Sequence, residues 1–150
     1  MKRLLSWLTL VTAALPLPTA GIRAGPPPPP LRVTFLSLDY GDATLVQAPG
    51  GMVGLLGAGA ARDGDAVIRY LRRHGIRKVD VLVAAAWSER YLGGVPALLR
   101  SVHVSRVLRN PLYVPTAAGE RALKEVQQHG IEAFSPTPGD FDTLYHTPPC

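Results

Sequence analysis

The chain is poor in cysteine, in paired histidines and in charge. Its single cysteine, Cys150, is the last of 150 residues. It cannot form an internal disulfide, so in an oxidising compartment it is a free thiol or an intermolecular link. The histidines are His74, His103, His129 and His146. None lies two or four positions from another, which excludes a local two-histidine metal site. His74 and His129 each precede a glycine at a helix end, where an imidazole complements the helix dipole. Charged residues make up only 18% of the chain. No apolar run approaches the ~20 residues that span a membrane.

What is present begins with a leader. Lys2 and Arg3 precede the mostly apolar stretch Leu4 to Leu15, and Pro16 and Pro18 end it. Small residues then offer cleavage after Ala20 or Ala24, the pattern of a Sec-type signal peptide over residues 1–24. The expected location is secreted or periplasmic, with no membrane span after removal. Removing Lys2 and Arg3 lowers the net charge from +5 to +3, and removing Arg23 as well gives +2. So small a charge gives no strong nucleic-acid signal. Residues 25–30 form a stiff polyproline linker, and residues 31–150 form the domain.

Within it, the alternation of Leu31, Val33 and Phe35 predicts a strand over 31–38. Two more strands, 43–48 and 52–56, flank Pro49-Gly50-Gly51 and predict a hairpin. A helix is expected over 64–74, with Asp63 as its N-cap and Gly75 as its stop. The nearly continuous apolar run 79–84, broken only by Asp80, reads as a central strand covered on both faces. A short helix over 95–100, a strand over 106–108, a helix from Thr116 to 129 and strands over 131–134 and 141–145 complete an α/β layer.

The order of these pieces resembles a known family. Phe35 to Ala43, with Gly41-Asp42-Ala43, is similar to the "FLDVGQGDA" opening of the ComEC-type metallo-β-lactamase domain of bacterial DNA-uptake proteins. Gln47 to Gly51 resembles its "QTPGG". Tyr70 to Ile76 and Val79 to Val83 resemble "YLRRLGIRRLDLLVLTH", and Gly93 to Leu99 resembles "GGLPALL". The similarity covers residues 31 to 135. It implies a partial αββα sandwich: a mixed sheet with helices on its outer face, equivalent to the N-terminal half of the family fold.

The functional positions depart from the family. Leu56 stands where the resemblance places an Asp before Gly. In the loop corresponding to "THPDADHIGG", Ala86 and Ser88 replace the first two ligands, Arg90 the Asp, and Tyr91 the last His. Zinc needs imidazole, thiolate or carboxylate donors. Alanine offers none, a neutral hydroxyl is a poor one, and a guanidinium repels the cation. The donors that the second half would add, often in "SHHGS", do not occur before Cys150. The expectation is therefore no catalytic residue, no metal ligand and no cofactor. The expected role is a binding or scaffold module that self-associates or meets an unknown protein partner. The alternatives are a zinc-dependent nuclease- or phosphoesterase-like hydrolase, which the resemblance would imply, and a truncated gene product.

Other groupings favour structural roles. Asp39, Asp42, Asp63 and Asp65 read as turn and helix caps. Ser88 beside Glu89 has no histidine nearby in sequence. Arg69, Arg72, Arg73, Arg77 and Lys78 form either a phosphate-contacting patch or, the favoured reading, a solvated helix end. Trp87 either anchors an interface or fills a vacated pocket as core.

Overall fold

The computed structural model describes residues 27 and 29–139. The expected leader, the strand at 141–145, His146 and Cys150 lie outside the described residues. The chain builds one mixed six-stranded sheet whose spatial order is its chain order. The strands are β1 (Arg32–Phe35), β2 (Thr44–Gln47), β3 (Val53–Leu56), β4 (Lys78–Ala84), β5 (His103–Arg109) and β6 (Glu132–Phe134). The expected hairpin is present: β1, β2 and β3 pair antiparallel. Gly51 takes φ +85° in its turn, a value that favours glycine. From β3 to β6 the pairing is parallel.

Parallel neighbours need crossovers, and the chain makes them with helices. α1 (Gly64–Arg73) joins β3 to β4. α2 (Glu89–Leu92) and α3 (Val95–Ser101) join β4 to β5, and α4 (Ala117–Gln128) joins β5 to β6. Each crossover advances one strand in the same direction. Because such connections are right-handed, all the helices fall on one face of the sheet. Their mutual contacts agree: α1 packs on α3, and α3 and α2 pack on α4. Thr116 caps α4 as expected, its hydroxyl oxygen accepting from Gly119 N–H at 3.0 Å. Gly75 and Gly130 follow α1 and α4 with φ of +70° and +63°, so both helices end as the sequence indicates.

The core lies between this helical layer and the sheet. The register aligns Leu45, Leu55, Leu82 and Val107 in a row across four strands. All four are buried against Val67, Ile68 and Leu71 of α1, Leu98 and Leu99 of α3, and Ala122 and Val126 of α4. Each such side chain contributes about 1.5–3 kcal/mol when fully buried. The rows flanking this one point the other way. The first runs Phe35, Thr44, Leu56, Val83, Leu108, Phe134, and the second Val33, Val46, Gly54, Val81, Arg106, Glu132. None of the apolar residues in these two rows joins the core cluster, but Val81 is itself buried at 1% exposure, so the exposed apolar part of this face is the first row together with Val33. The apolar run of β4 predicts cover on both faces. The helices cover the side of Leu82 and Ala84, and on the other side Val79 and Val81 are buried at 0% and 1% while Val83 is half-buried.

Three local features differ from expectation. The strand expected over 106–108 extends to His103–Arg109, and α2 has no counterpart in the sequence reading. Asp63 precedes α1 but makes no side-chain cap bond to it. Its carboxylate turns instead to the β1–β2 loop.

Candidate functional site

In open α/β sheets, the loops at the carboxyl ends of parallel strands form the binding edge. Here that edge gathers the β1–β2 loop (36–43), the β3 loop (57–60), the β4 loop (85–88) with α2, and the β5 loop (110–116). Asp63 holds the first of these. Its carboxylate accepts from Gly41 N–H at 2.6 Å and from Asp39 and Ala60 N–H at 3.3 Å each. Only 2% of the residue is exposed. Burial alone would raise its pKa. Donation from the backbones of Gly41, Ala60, Asp39 and Tyr40 outweighs that and holds it below the ordinary carboxylate value.

The backbones of three loops are hydrogen-bonded into one another. Asp42 N–H donates to Arg90 C=O at 3.0 Å, Ala58 N–H to Tyr91 C=O at 2.8 Å, and Gly94 N–H to Gly59 C=O at 2.9 Å. The Gly93-Gly94 pair is there for packing. A Cβ on Gly94 would stand 2.1 Å from the Ala58 carbonyl oxygen, and one on Gly41 would stand 2.1 Å from Ala60 N. These glycines therefore mark points where backbone crosses backbone.

Side chains at the positions singled out by sequence are committed to this frame. Arg90 pairs with Asp42 at 3.2 Å. Its guanidinium and that of Arg62 both lie against the Tyr40 ring, at 5.5 and 4.6 Å from the centroid. Tyr91 packs partly buried on the core. Ser88 is the N-cap of α2 without a side-chain bond, and its carbonyl accepts from Leu92 N–H. Ala86 is half-buried. Leu56 leaves the loop cluster altogether and sits on the open sheet face. Glu89 is a tie that the sequence does not signal: its carboxylate accepts from Ala61 N–H at 3.1 Å and pairs with Arg121 at 2.9 Å. Those partners lie 28 and 32 residues away, and no local pattern signals them.

Trp87 fills space as core. It is 6% exposed and sits edge-on to Tyr113 at 4.9 Å. Its Nε1 is buried without a hydrogen-bond partner among the described residues. Asn110 closes the loop beside it, its Nδ2 donating to Ala85 C=O at 3.0 Å. A shallow cleft of about 280 Å³ remains between Tyr40, Ala60, Ala61, Arg62 and Glu89.

A zinc site does not fit this donor set. Among the described residues, no group of three or more His, Cys, Asp or Glu could hold a metal ion. His74 and His129 sit at helix ends, each with Nδ1 2.9 Å from the carbonyl four residues earlier. His103 starts β5, at the opposite edge of the sheet. The basic cluster lies at that edge too. Arg69, Arg72, Arg73, Arg77 and Lys78 are all exposed, and Lys78 pairs with Asp80 at 2.7 Å. Comparison with known protein families and with curated proteins returns no match for this chain.

Proposed function

We propose that the chain is an exported, non-catalytic binding or scaffold module. In this reading it is built as the N-terminal half of a metallo-β-lactamase-like αββα sandwich of the ComEC type, and its binding surface is the sheet face opposite the helices. The observation that carries the reading is that face. Val33, Phe35, Val46, Leu56, Val83, Leu108 and Phe134 all lie on it, outside the core cluster. Contiguous apolar patches of this kind mark interaction sites in folded proteins.

The loop edge supports the non-catalytic part. Arg90 puts a guanidinium where a metal ligand would be needed, and Asp42, a nearby carboxylate, is bound to it. Ser88 has no described histidine beside it to act as a base. The loops are tied by backbone bonds into a closed frame.

Metal analysis of the full chain, purified and incubated with zinc and with manganese, tests this. The expected result is substoichiometric metal and no phosphodiester hydrolysis. One bound metal per chain together with hydrolysis overturns the reading in favour of a metallohydrolase.

A further inference from the structure

Resting on that reading, we infer that the occupant of the open sheet face is a second copy of this chain, docked face to face about a two-fold axis parallel to the strands. The row nearest the loop edge carries Phe35 on β1, Thr44 on β2, Leu56 on β3, Val83 on β4, Leu108 on β5 and Phe134 on β6. It holds no charged side chain. It also reads nearly the same from either edge: an aromatic at each end and aliphatic residues at its centre.

A two-fold axis along the strands reverses the strand order of the second copy. β1 then faces β6, β2 faces β5 and β3 faces β4. Phe35 meets Phe134 of the second copy, Leu56 meets its Val83, and Thr44 meets its Leu108, each pair occurring twice. Such self-complementarity is what an isologous interface requires. The sheets would pack ~10 Å apart with their strands within about 30°, the aligned packing of sandwiches. On the second row Val81 is already buried at 1% exposure, so the contact is confined to the first row, and Arg106 and Glu132, register neighbours on the second, lie beside it where a polar rim belongs.

The area suits a dimer. Phe35 is 80% exposed, Phe134 44% and Leu56 38%. A single aromatic side chain buries ~150–250 Å², so the face presents on the order of 500 Å² of apolar surface per copy. Pairing two faces removes about 1,000 Å² in total, the lower bound for specific association. A nucleic acid or a charged peptide finds no counter-charge along the first row.

Sedimentation equilibrium of the full chain, as its host processes it, is expected to show a monomer–dimer equilibrium. Phe35→Asp and Phe134→Asp should each weaken it by about tenfold or more. Both side chains are exposed at sheet edges, so the far-UV circular dichroism should not change. Orientation is read by cysteine cross-linking on a Cys150→Ser background. Phe35→Cys chains mixed with Phe134→Cys chains should be joined by a short bis-maleimide, while Phe35→Cys chains alone should not. A monomer at every concentration, a dimer indifferent to both aspartates, or self-linking of Phe35→Cys overturns the inference. So does a stoichiometric complex of one chain with a different protein on this face. A metal-free monomer overturns the second copy alone, whereas stoichiometric metal with hydrolysis overturns the reading beneath it.

Discussion

Arg90 and Asp42 are joined twice, once by their side chains at 3.2 Å and once by the Asp42 N–H donating to the Arg90 carbonyl at 3.0 Å. The backbone bond holds the β1–β2 loop to α2, and the ion pair is an addition at the surface. Both side chains are about half exposed, so the pair is screened by solvent and contributes less than about 1 kcal/mol. Arg90→Ala should lower the melting temperature by no more than a few degrees, and high salt should produce the same loss in the unsubstituted chain.

Rebuilding the ligand pattern should not create an enzyme. The combined variant Ala86→His, Ser88→His, Arg90→Asp and Tyr91→His still lacks a carboxylate at Leu56, which points onto the open sheet face. The loop it alters is pinned by Glu89 to Ala61 and Arg121. Metal analysis should find no stoichiometric zinc in this variant, and hydrolysis of a phosphodiester should stay at background.

Asp63 is the buried group on which the loop edge depends. Asp63→Asn replaces an acceptor of three backbone N–H groups with a partial donor and should cost about 2–4 kcal/mol, measured by urea denaturation. The same carboxylate predicts acid sensitivity. Its folded-state pKa lies below the ordinary value. Its contribution is therefore complete above an unfolded pKa of about 3.9 and disappears as pH falls through the folded pKa. Asp80 behaves alike. Burial raises its pKa, while the Lys78 ammonium and the Val53 N–H more than compensate and lower it overall. Stability should thus fall steeply below about pH 4, and Asp63→Asn should flatten that fall.

Gly94→Ala should be among the most damaging small changes. Its Cβ would meet the Ala58 carbonyl oxygen at 2.1 Å, backbone against backbone. The start of α3 must then lift from the β3 loop, at a cost of about 3 kcal/mol or more. Gly51→Ala offers a contrast. No atom crowds that position, and only the positive φ is penalised, for about 1 kcal/mol. Thermal unfolding of the two variants should separate these effects.

Trp87→Ala should cost about 3–5 kcal/mol through the cavity it leaves. Trp87→Phe keeps most of the ring and removes the unpartnered Nε1 donor, so it should cost under about 1.5 kcal/mol. A larger loss for Trp87→Phe than for Trp87→Ala, in the same denaturant series, would contradict the account of Trp87 as core.

The local signals in the chain were sufficient for the hairpin around Gly51, the caps at Thr116, Gly75 and Gly130, and the central strand β4. Each depends on residues within a few positions of one another. The ties that close the loop edge were not legible. Asp63 looks like an N-cap because an Asp before a helix usually is one. Its real partners, Asp39 and Gly41, lie 24 and 22 residues upstream and are reached only after the sheet forms. α2 leaves no signal in the sequence because four residues are too few to show a helical period. The open face was legible only in part. Phe35, Leu56, Val83, Leu108 and Phe134 look unrelated in sequence until the strand register sets them side by side.

The agreement between spatial and chain order has a kinetic consequence. A polypeptide that emerges N-terminus first meets, at every step, a neighbour already in place. β2 finds β1, β3 finds β2, and each crossover then lays one strand against the last edge formed. No strand has to wait for a distant segment, and no pairing must be undone to admit a later one. Sequence separations between partners stay short for a largely parallel sheet, which favours rapid folding. The sheet grows like a row of planks laid in one direction, and at every stage its growing edge is the strand most recently delivered.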